Sequence, residues 1–181
     1  MNRAVFLDRD GTLIKDAHYL KDPTEVEIID GVGDALSRMR AAGYLIFMHT
    51  NQSGIERGYY DWDDVHACNL KMLELLGLAE DFFDDTCIAP EWPEKENGYR
   101  KPSERFERET IAKYDLTPME CWMVGDKWID AQTGLSAGMR SALVKTGKPI
   151  DSELASKAID SMVPIHLDLL EFAERTLKLE K

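Results

Sequence analysis

The sequence predicts a doubly wound α/β fold, a mostly parallel sheet with helices on both faces. Short apolar runs alternate along the chain with helical patterns at the spacing of successive strand–helix units. The first run, Ala4–Leu7, is apolar without in–out alternation, as in a central parallel strand covered on both sides. Polar clusters follow several of these runs directly, and in an open parallel sheet the carboxyl ends of the strands share one crevice.

The elements follow in order. Ala4–Leu7 breaks into Asp8-Arg9-Asp10-Gly11, and residues 14–27, polar and aromatic with Pro23, form an excursion over the strand end. Asp30-Gly31 opens a helix with Val32, Ala35, Leu36 and Met39 on one face, ended by Gly43. Residues 44–48 are the second strand, delivering His49-Thr50-Asn51-Gln52-Ser53-Gly54 and a polar loop at 55–60. Asp61 opens a helix carrying Trp62, Val65, Leu70, Leu73 and Leu76, closed by Gly77. A third strand lies within 82–89. Residues 90–100, with Pro90, Pro93, Gly98 and alternating charges, are a loop. Arg100-Lys101 then precedes Pro102, read as the first residue of a helix to about Tyr114. Residues 121–125 form the fourth strand, delivering Asp126-Lys127, with Asp130 one turn on at the start of a helix through Ala137. Residues 140–144 are the fifth strand. A turn at 147–149, a short helix at 151–158, a marginal edge strand at 161–163 and a closing helix at 165–177 complete the chain.

The 181 residues suit one domain spanning 1–181. The stretch between Gly11 and Thr50 is too short for a large cap domain. No segment approaches the roughly 20 apolar residues of a membrane span, and Met1-Asn2-Arg3 leads straight into the first strand, so a cytoplasmic protein is expected. The scattered, odd-numbered Cys68, Cys87 and Cys121 suit reduced thiols. A net charge of −12 disfavours nucleic acid and anionic membranes as partners. A phosphorylated small molecule remains compatible, because local cations and a metal outweigh a distant negative surface. A monomer is the simplest expectation.

Asp8 and Asp10, at i and i+2 beyond a strand end, leave their pleat together and can face one small volume. An Asp is a useful nucleophile towards phosphorus, since the acyl phosphate it forms is cleaved by water, and a second Asp can carry the proton. Alone, Asp-x-Asp-Gly equally suits a capped turn. The remaining strand ends add Thr50, Arg100-Lys101 and Asp126/Lys127/Asp130.

With these four motifs the chain resembles the haloacid dehalogenase (HAD) superfamily of phosphatases. The similarity is finer than that. Residues 6–13 (FLDRDGTL), Asp16 with Tyr19, residues 50–55 (TNQSGI) with Arg57-Gly58, Arg100-Lys101-Pro102, residues 123–127 (MVGDK) with Asp130, and residues 145–149 (KTGKP) resemble the D-glycero-D-manno-heptose 1,7-bisphosphate phosphatases and their relatives, the histidinol-phosphate phosphatases. The resemblance implies a HAD-like Rossmannoid domain that hydrolyses a small sugar phosphate, most simply the heptose bisphosphate. A histidinol-phosphate phosphatase or another small phosphomonoesterase, and a non-catalytic phosphosugar-binding module, are the alternatives.

In that reading Asp8 attacks phosphorus, and Asp10 protonates the departing oxygen and then takes a proton from water. Mg²⁺ is held by Asp8, the Asp10 backbone carbonyl and Asp126, with Asp130 orienting it. Thr50 and Lys101 hold the equatorial oxygens of the phosphoryl group, and a helix N-terminus beside Lys101 favours the anion. Asp16, Tyr19, Asn51, Gln52, Ser53, Arg100 and Lys127 contact substrate. Three of these have plain structural alternatives: Lys127 pairing with Asp130, Asp16 capping a turn, Arg100 as a solvated loop charge.

One feature departs from the family pattern. Many relatives bind zinc in the loop before Arg-Lys-Pro, through Cys and His followed by Cys-x-Cys. Here Cys87 is followed by Ala89, and no histidine or second cysteine precedes Arg100. A tetrahedral site needs four such ligands, so no structural zinc is expected, and Trp92, Pro93 and Tyr99 are the candidates to hold the loop by packing. His18 is expected at the surface, and His66 and His166 in structural positions. His49 should face away from Thr50 and fill the layer between sheet and helix. Trp122 and Trp128 are expected in the core.

Overall fold

The computed structural model describes residues 2–92 and 98–179. Six strands, β1 (Ala4–Leu7), β2 (Leu45–Asn51), β3 (Asp85–Ala89), β4 (Trp122–Gly125), β5 (Arg140–Val144) and β6 (Ile165–His166), form one sheet in the order β3-β2-β1-β4-β5-β6. Every pairing is parallel. The helices are α1 (Val32–Ala41), α2 (Trp62–Leu76), α3 (Arg105–Lys113), α4 (Trp128–Ser136), α5 (Ser152–Asp160) and α6 (Leu169–Arg175).

Strand alternation divides the core into two layers. Val5, Leu7, Ile46, Met48 and Val124 pack under α1, α2 and α6 through Leu36, Met39, Met72 and Phe172. Ala4, Phe6, Phe47 and Met123 face the other way, against Phe106 of α3 and Ala137 at the end of α4. There the Phe6 and Phe47 rings lie 4.8 Å apart, and Phe106 meets Phe6 edge-on at 6.0 Å. Ala131 and Ala158 bring α4 and α5 onto Leu143. Strands buried on both faces this way require the near-continuous apolar runs the sequence carries.

The chain winds outward from β1 to β2 and β3, then crosses to the opposite side of β1 for β4. That crossing sets the switch point, where a crevice opens beyond the strands. Leu7 pairs with Met48 on one side and Val124 on the other, so Asp8, Thr50 and Asp126 all emerge within two residues of one level of the sheet.

Several boundaries differ from the sequence expectation. The second strand runs on to Asn51, because His49, Thr50 and Asn51 continue the ladder with Cys87, Ile88 and Ala89. Pro102 does not begin α3, which starts at Arg105. Ser103 instead closes a turn, its N–H donating to the Arg100 carbonyl at 2.9 Å and its hydroxyl to the Gly98 carbonyl at 2.9 Å. Lys101 is therefore not at a helix N-terminus. The edge strand lies at Ile165–His166 rather than 161–163, and α6 begins only at Leu169. The backbone at 164–166 is used by β5, through Leu143 N–H to Pro164 O and Lys145 N–H to His166 O. Asp168 then caps α6 by accepting from the Glu171 N–H at 2.7 Å. On α2 the capping box of Asp61 and Asp64 and the closing Gly77 are as expected, but Trp62 and Leu70 are exposed, and Cys68 and Met72 take the buried stripe. Trp122 and Trp128 are half-buried rather than central, Trp122 against Phe172 and Trp128 beneath Lys157.

Gly134 lets α4 pack close to the sheet, since an added Cβ there would run into Ser141 Oγ and come within 2.6 Å of Met123 Cβ. Neither obstacle is a flexible side-chain end. Gly134→Ala is expected to destabilise the protein by about 1–3 kcal/mol despite its better helix propensity, read by urea unfolding. A stabilised variant would show that α4 can lift off the sheet without cost.

Candidate active site

Lys101 is the centre of the crevice. Its ammonium is 2 % exposed as a residue and lies 2.8 Å from Asp8 Oδ1 and 2.6 Å from Asp130 Oδ1. Asp8 sits one residue beyond β1, its N–H still bonded to Val124 O at 2.9 Å. Asp130 lies in the first turn of α4, where it accepts from the Lys127 N–H at 3.0 Å, so its carboxylate is fixed at a helix N-terminus that favours negative charge. Asp126 follows β4 and accepts from the Lys148 N–H at 2.8 Å. Its other oxygen is 3.1 Å from Lys127 Nζ. Gly11, at φ +87°, lets the chain turn beside Asp126, and a Cβ there would sit 2.6 Å from Asp126 Oδ2.

Burial raises the Asp8 carboxyl above its ordinary pKa, against the pull of Lys101, with Asp130 adding repulsion. Asp126 is raised likewise, by burial and then by the charge of Asp8. Burial alone would depress the Lys101 ammonium, but Asp130 and Asp8 outweigh it and hold it above the usual lysine value. Lys127 is held up in the same manner by Asp8 and Asp126.

Asp10 points elsewhere. Its carboxylate receives Arg9 Nε at 3.0 Å and Nη2 at 3.1 Å, Gln52 Nε2 at 2.9 Å and the Thr50 hydroxyl at 3.3 Å. Arg9 is itself buried and donates onward to Asn69 Oδ1 at 2.8 Å. The Tyr60 hydroxyl donates to Gln52 Oε1 at 2.7 Å. This network holds the Asp10 carboxylate apart from the Asp8, Asp126 and Asp130 group.

A cavity of about 330 Å³ opens above these groups. Asp8, Asp10, Asp16, Tyr19, Asn51, Ser53, Arg100, Lys101, Lys127 and Asp130 line it, as the sequence groups them. Gln52 lines an adjoining hollow of about 120 Å³ with Tyr60. Thr50 and Asp126 are fully buried and line neither hollow, reaching the site only through Asp10 and Lys148 or Lys127 respectively. Asn51 is committed at both ends to the Lys101 backbone, accepting its N–H at 2.9 Å and donating to its carbonyl at 3.1 Å. Asp16 does cap a turn, accepting the His18 N–H at 3.1 Å, and also pairs with Lys148 at 3.1 Å. Lys127 pairs with Asp126, not with the Asp130 carboxylate. Arg100 is not a solvated charge, since Nη1 donates to Glu91 O at 3.3 Å.

Sequence reasoning assigned no role to Lys148 or Ile129, which also line the cavity, and His18, expected at the surface within the substrate-contacting 16–19 stretch, is exposed and lines it too. Lys148 had a signal, because it ends the Lys-Thr-Gly-Lys-Pro run after the fifth strand. Arg9 had none. Nothing in its neighbours distinguishes a buried clamp on Asp10 from a surface charge. His49 is fully buried on the α3 side of the sheet, as expected, and Pro93 lies outside the described residues.

Carboxylate oxygens of Asp8, Asp126 and Asp130 all lie within 4.8 Å of one another. Asp126 Oδ1 and Asp130 Oδ1 are buried and accept no aligned hydrogen bond, though each approaches a lysine ammonium. An all-oxygen, anionic set of this kind suits a hard divalent cation such as Mg²⁺. The ion-free protein carries the cost of the raised carboxyls, which is absent below the ordinary Asp pKa and grows as pH rises through it towards the folded values. Asp8→Asn is therefore expected to melt above the wild type in chelator at pH 7.5, with the gap closing towards pH 4. Added Mg²⁺ should raise the wild-type melting temperature more than that of the variant. Equal melting at both pH values would show that Asp8 carries no such cost.

A family model described as HAD-hydrolase-like matches residues 98–170. The chain is 35% identical over 175 residues to D-glycero-beta-D-manno-heptose-1,7-bisphosphate 7-phosphatase of Haemophilus influenzae, covering 91% of this chain and 95% of that protein. It is 30% identical to the D-glycero-alpha-D-manno-heptose-1,7-bisphosphate 7-phosphatase of Burkholderia mallei, covering 94% and 93%. Among solved structures, the D,D-heptose 1,7-bisphosphate phosphatase of B. bronchiseptica, complexed with magnesium and phosphate, superposes with a TM-score of 0.82 at 28% identity, covering 98% and 99% of the two chains.

Proposed function

The chain belongs to the D-glycero-D-manno-heptose-1,7-bisphosphate 7-phosphatase family of HAD-like hydrolases, and we propose that Asp8 performs the hydrolysis through an aspartyl-phosphate intermediate. The protein is a phosphoric monoester hydrolase acting on heptose 1,7-bisphosphate. The observation that supports the mechanism best is Lys101, buried between Asp8 and Asp130 at the switch point, below a cavity open to a small ligand.

An Asp8 oxygen forms the new bond to phosphorus as the bond from phosphorus to the sugar O7 breaks. Asp10 gives its proton to that oxygen. In the second half, water attacks phosphorus and gives its proton to Asp10, which releases inorganic phosphate and restores the Asp8 carboxylate. Lys101 holds an equatorial oxygen of the phosphoryl group, where charge is already compensated before the reaction begins. The Thr50 hydroxyl holds another, exchanging its 3.3 Å contact with Asp10 for one to phosphate. Asp8, Asp126 and the Asp10 backbone carbonyl, with Asp130 beside them, would hold Mg²⁺, whose positive charge would relieve repulsion between nucleophile and phosphate. Lys127, Lys148 and Arg100 around the mouth receive the rest of the doubly phosphorylated sugar, with Asp16, Tyr19 and Ser53 on its hydroxyls. Asn51 and Gln52 serve that surface by fixing Lys101 and Asp10.

We place the enzyme in the cytoplasm as a monomer. Its three cysteines are free and buried, and among the described residues no helix is long and apolar enough to cross a membrane.

Phosphate release with Mg²⁺, measured as kcat/KM across both heptose 1,7-bisphosphate anomers, histidinol phosphate and hexose phosphates, tests the reading. A preference of about 100-fold or more for a heptose bisphosphate is expected, because a site with charges for two phosphates leaves them unpaired with a monophosphate. Asp10→Asn should lower kcat by about 100- to 10,000-fold, the range for a lost general acid. Flat rates across the panel, or full activity in Asp8→Asn, would sink the assignment.

A further inference from the structure

The backbone that presents Arg100 and Lys101 to the cavity is gripped from behind by a buried imidazole–carboxylate pair. His49 Nε2 lies 2.8 Å from the Tyr99 carbonyl oxygen. That oxygen only accepts, so Nε2 carries a proton and donates it. His49 Nδ1 lies 2.7 Å from Glu107 Oε1 of α3, and both side chains have no solvent exposure. On its other side the Tyr99 N–H donates to Glu91 Oε1 at 3.0 Å. Two residues along β2, on the same side of the pleat, Asn51 grips both backbone groups of Lys101.

We propose that the His49–Glu107 pair is a positioning device for the phosphate-binding segment, setting the placement of Arg100 and Lys101 relative to the nucleophile. The proposal rests on the phosphatase reading for its catalytic consequence. It does not rest on it for its structural one.

Along β2, residues 49 and 51 face one way and residues 50 and 52 the other. Thr50 and Gln52 contact Asp10, while His49 and Asn51 hold residues 99 and 101. One strand thus fixes the acid–base carboxylate through one face and the segment bearing the phosphate-binding lysine through the other. Asn51 reaches Lys101 directly. The His49 ring packs edge-on to Phe106 at 5.3 Å, and Glu107, held on α3, fixes its orientation through Nδ1. A helix propensity or an apolar packing need would be met by any aliphatic residue at 107, so a carboxylate buried there requires a polar reason. A bond to the imidazole supplies it.

The pair is best removed as a unit, since deleting one partner leaves the other buried and unpaired. His49→Leu with Glu107→Leu replaces it with apolar side chains. Glu107→Gln is the conservative variant, whose amide can donate to Nδ1 while Nε2–H still reaches Tyr99. Two readouts separate the two claims. Amide exchange at residues 99–101 reports the grip with or without turnover. Here the double variant should exchange at least about tenfold faster while β1 and β4 amides stay protected, and Glu107→Gln should match the wild type. The steady-state parameters for heptose bisphosphate report the consequence, since a displacement on the order of 1 Å at a site costs about 100-fold. The double variant should lose about tenfold or more in kcat/KM, with weakened inhibition by inorganic phosphate, and Glu107→Gln should recover most of it. Unchanged exchange at 99–101 in the folded double variant overturns the positioning role, whatever the activity. If the double variant does not fold, Glu107→Gln decides alone: slow exchange at 99–101 with wild-type kcat/KM supports the grip, and loss of either overturns it. An inactive wild type with the expected exchange pattern would overturn only the phosphatase reading.

Discussion

Three carboxylates, Asp8, Asp126 and Asp130, have oxygens within 4.8 Å of one another, and the buried Lys101 and half-buried Lys127 make that possible. Without Lys101 the carboxylates would face each other across a dehydrated gap, and one or more would take up a proton. With it, one ammonium lies within 3 Å of two of them. Removing the ammonium would leave both acids buried without it, at a cost of about 3–5 kcal/mol, whereas Lys101 that loses the charge of Asp8 keeps Asp130. Everything else in the crevice is arranged around keeping that cation at the switch point. The sheet order puts β1 beside β4, the Lys127 N–H steadies Asp130, and β2 locks the backbone on both sides of Arg100.

The two acids at the end of β1 are separated by their surroundings rather than by distance along the chain. Asp8 faces ammonium groups and other carboxylates, a setting made for a cation and a phosphoryl group. Asp10 faces a guanidinium, an amide and a hydroxyl, which fix its orientation and keep it out of the metal-binding set. A nucleophile must meet phosphorus along one line, whereas a proton carrier must meet the leaving oxygen opposite. Two carboxylates that leave one pleat together could have collapsed onto the same cation. Arg9, buried and anchored on Asn69 of α2, prevents this by drawing Asp10 towards the other side.

The strands and the residues at their ends were legible in the sequence because burial on both faces demands uninterrupted apolar runs, and only their carboxyl ends can carry charge into the crevice. Asp8, Lys101 and Asp130 could be grouped on that basis. The errors share a different cause. Pro102 carries a helix-start signal, but the chain must first turn to deliver Lys101 inward, and the bonds from the Ser103 N–H and hydroxyl to the Arg100 and Gly98 carbonyls win over local propensity. Residues 165–166 carry a helical pattern, but β5 still has open backbone groups at the sheet edge and pairs with them. His49 and Glu107 could not be linked from the sequence at all. They lie 58 positions apart, and each alone reads as an ordinary core or helix residue.

The chain's charge of −12 and the affinity of its site for an anion are compatible because screening makes distance decisive. At physiological ionic strength exposed charges are damped beyond about 8 Å, so the acidic surface is largely invisible from the cavity. Within reach of a ligand there, Lys101, Lys127, Lys148 and Arg100 stand against Asp8, Asp10, Asp16 and Asp130. That count is even, so a divalent cation on the carboxylate cluster would tip it towards anion binding.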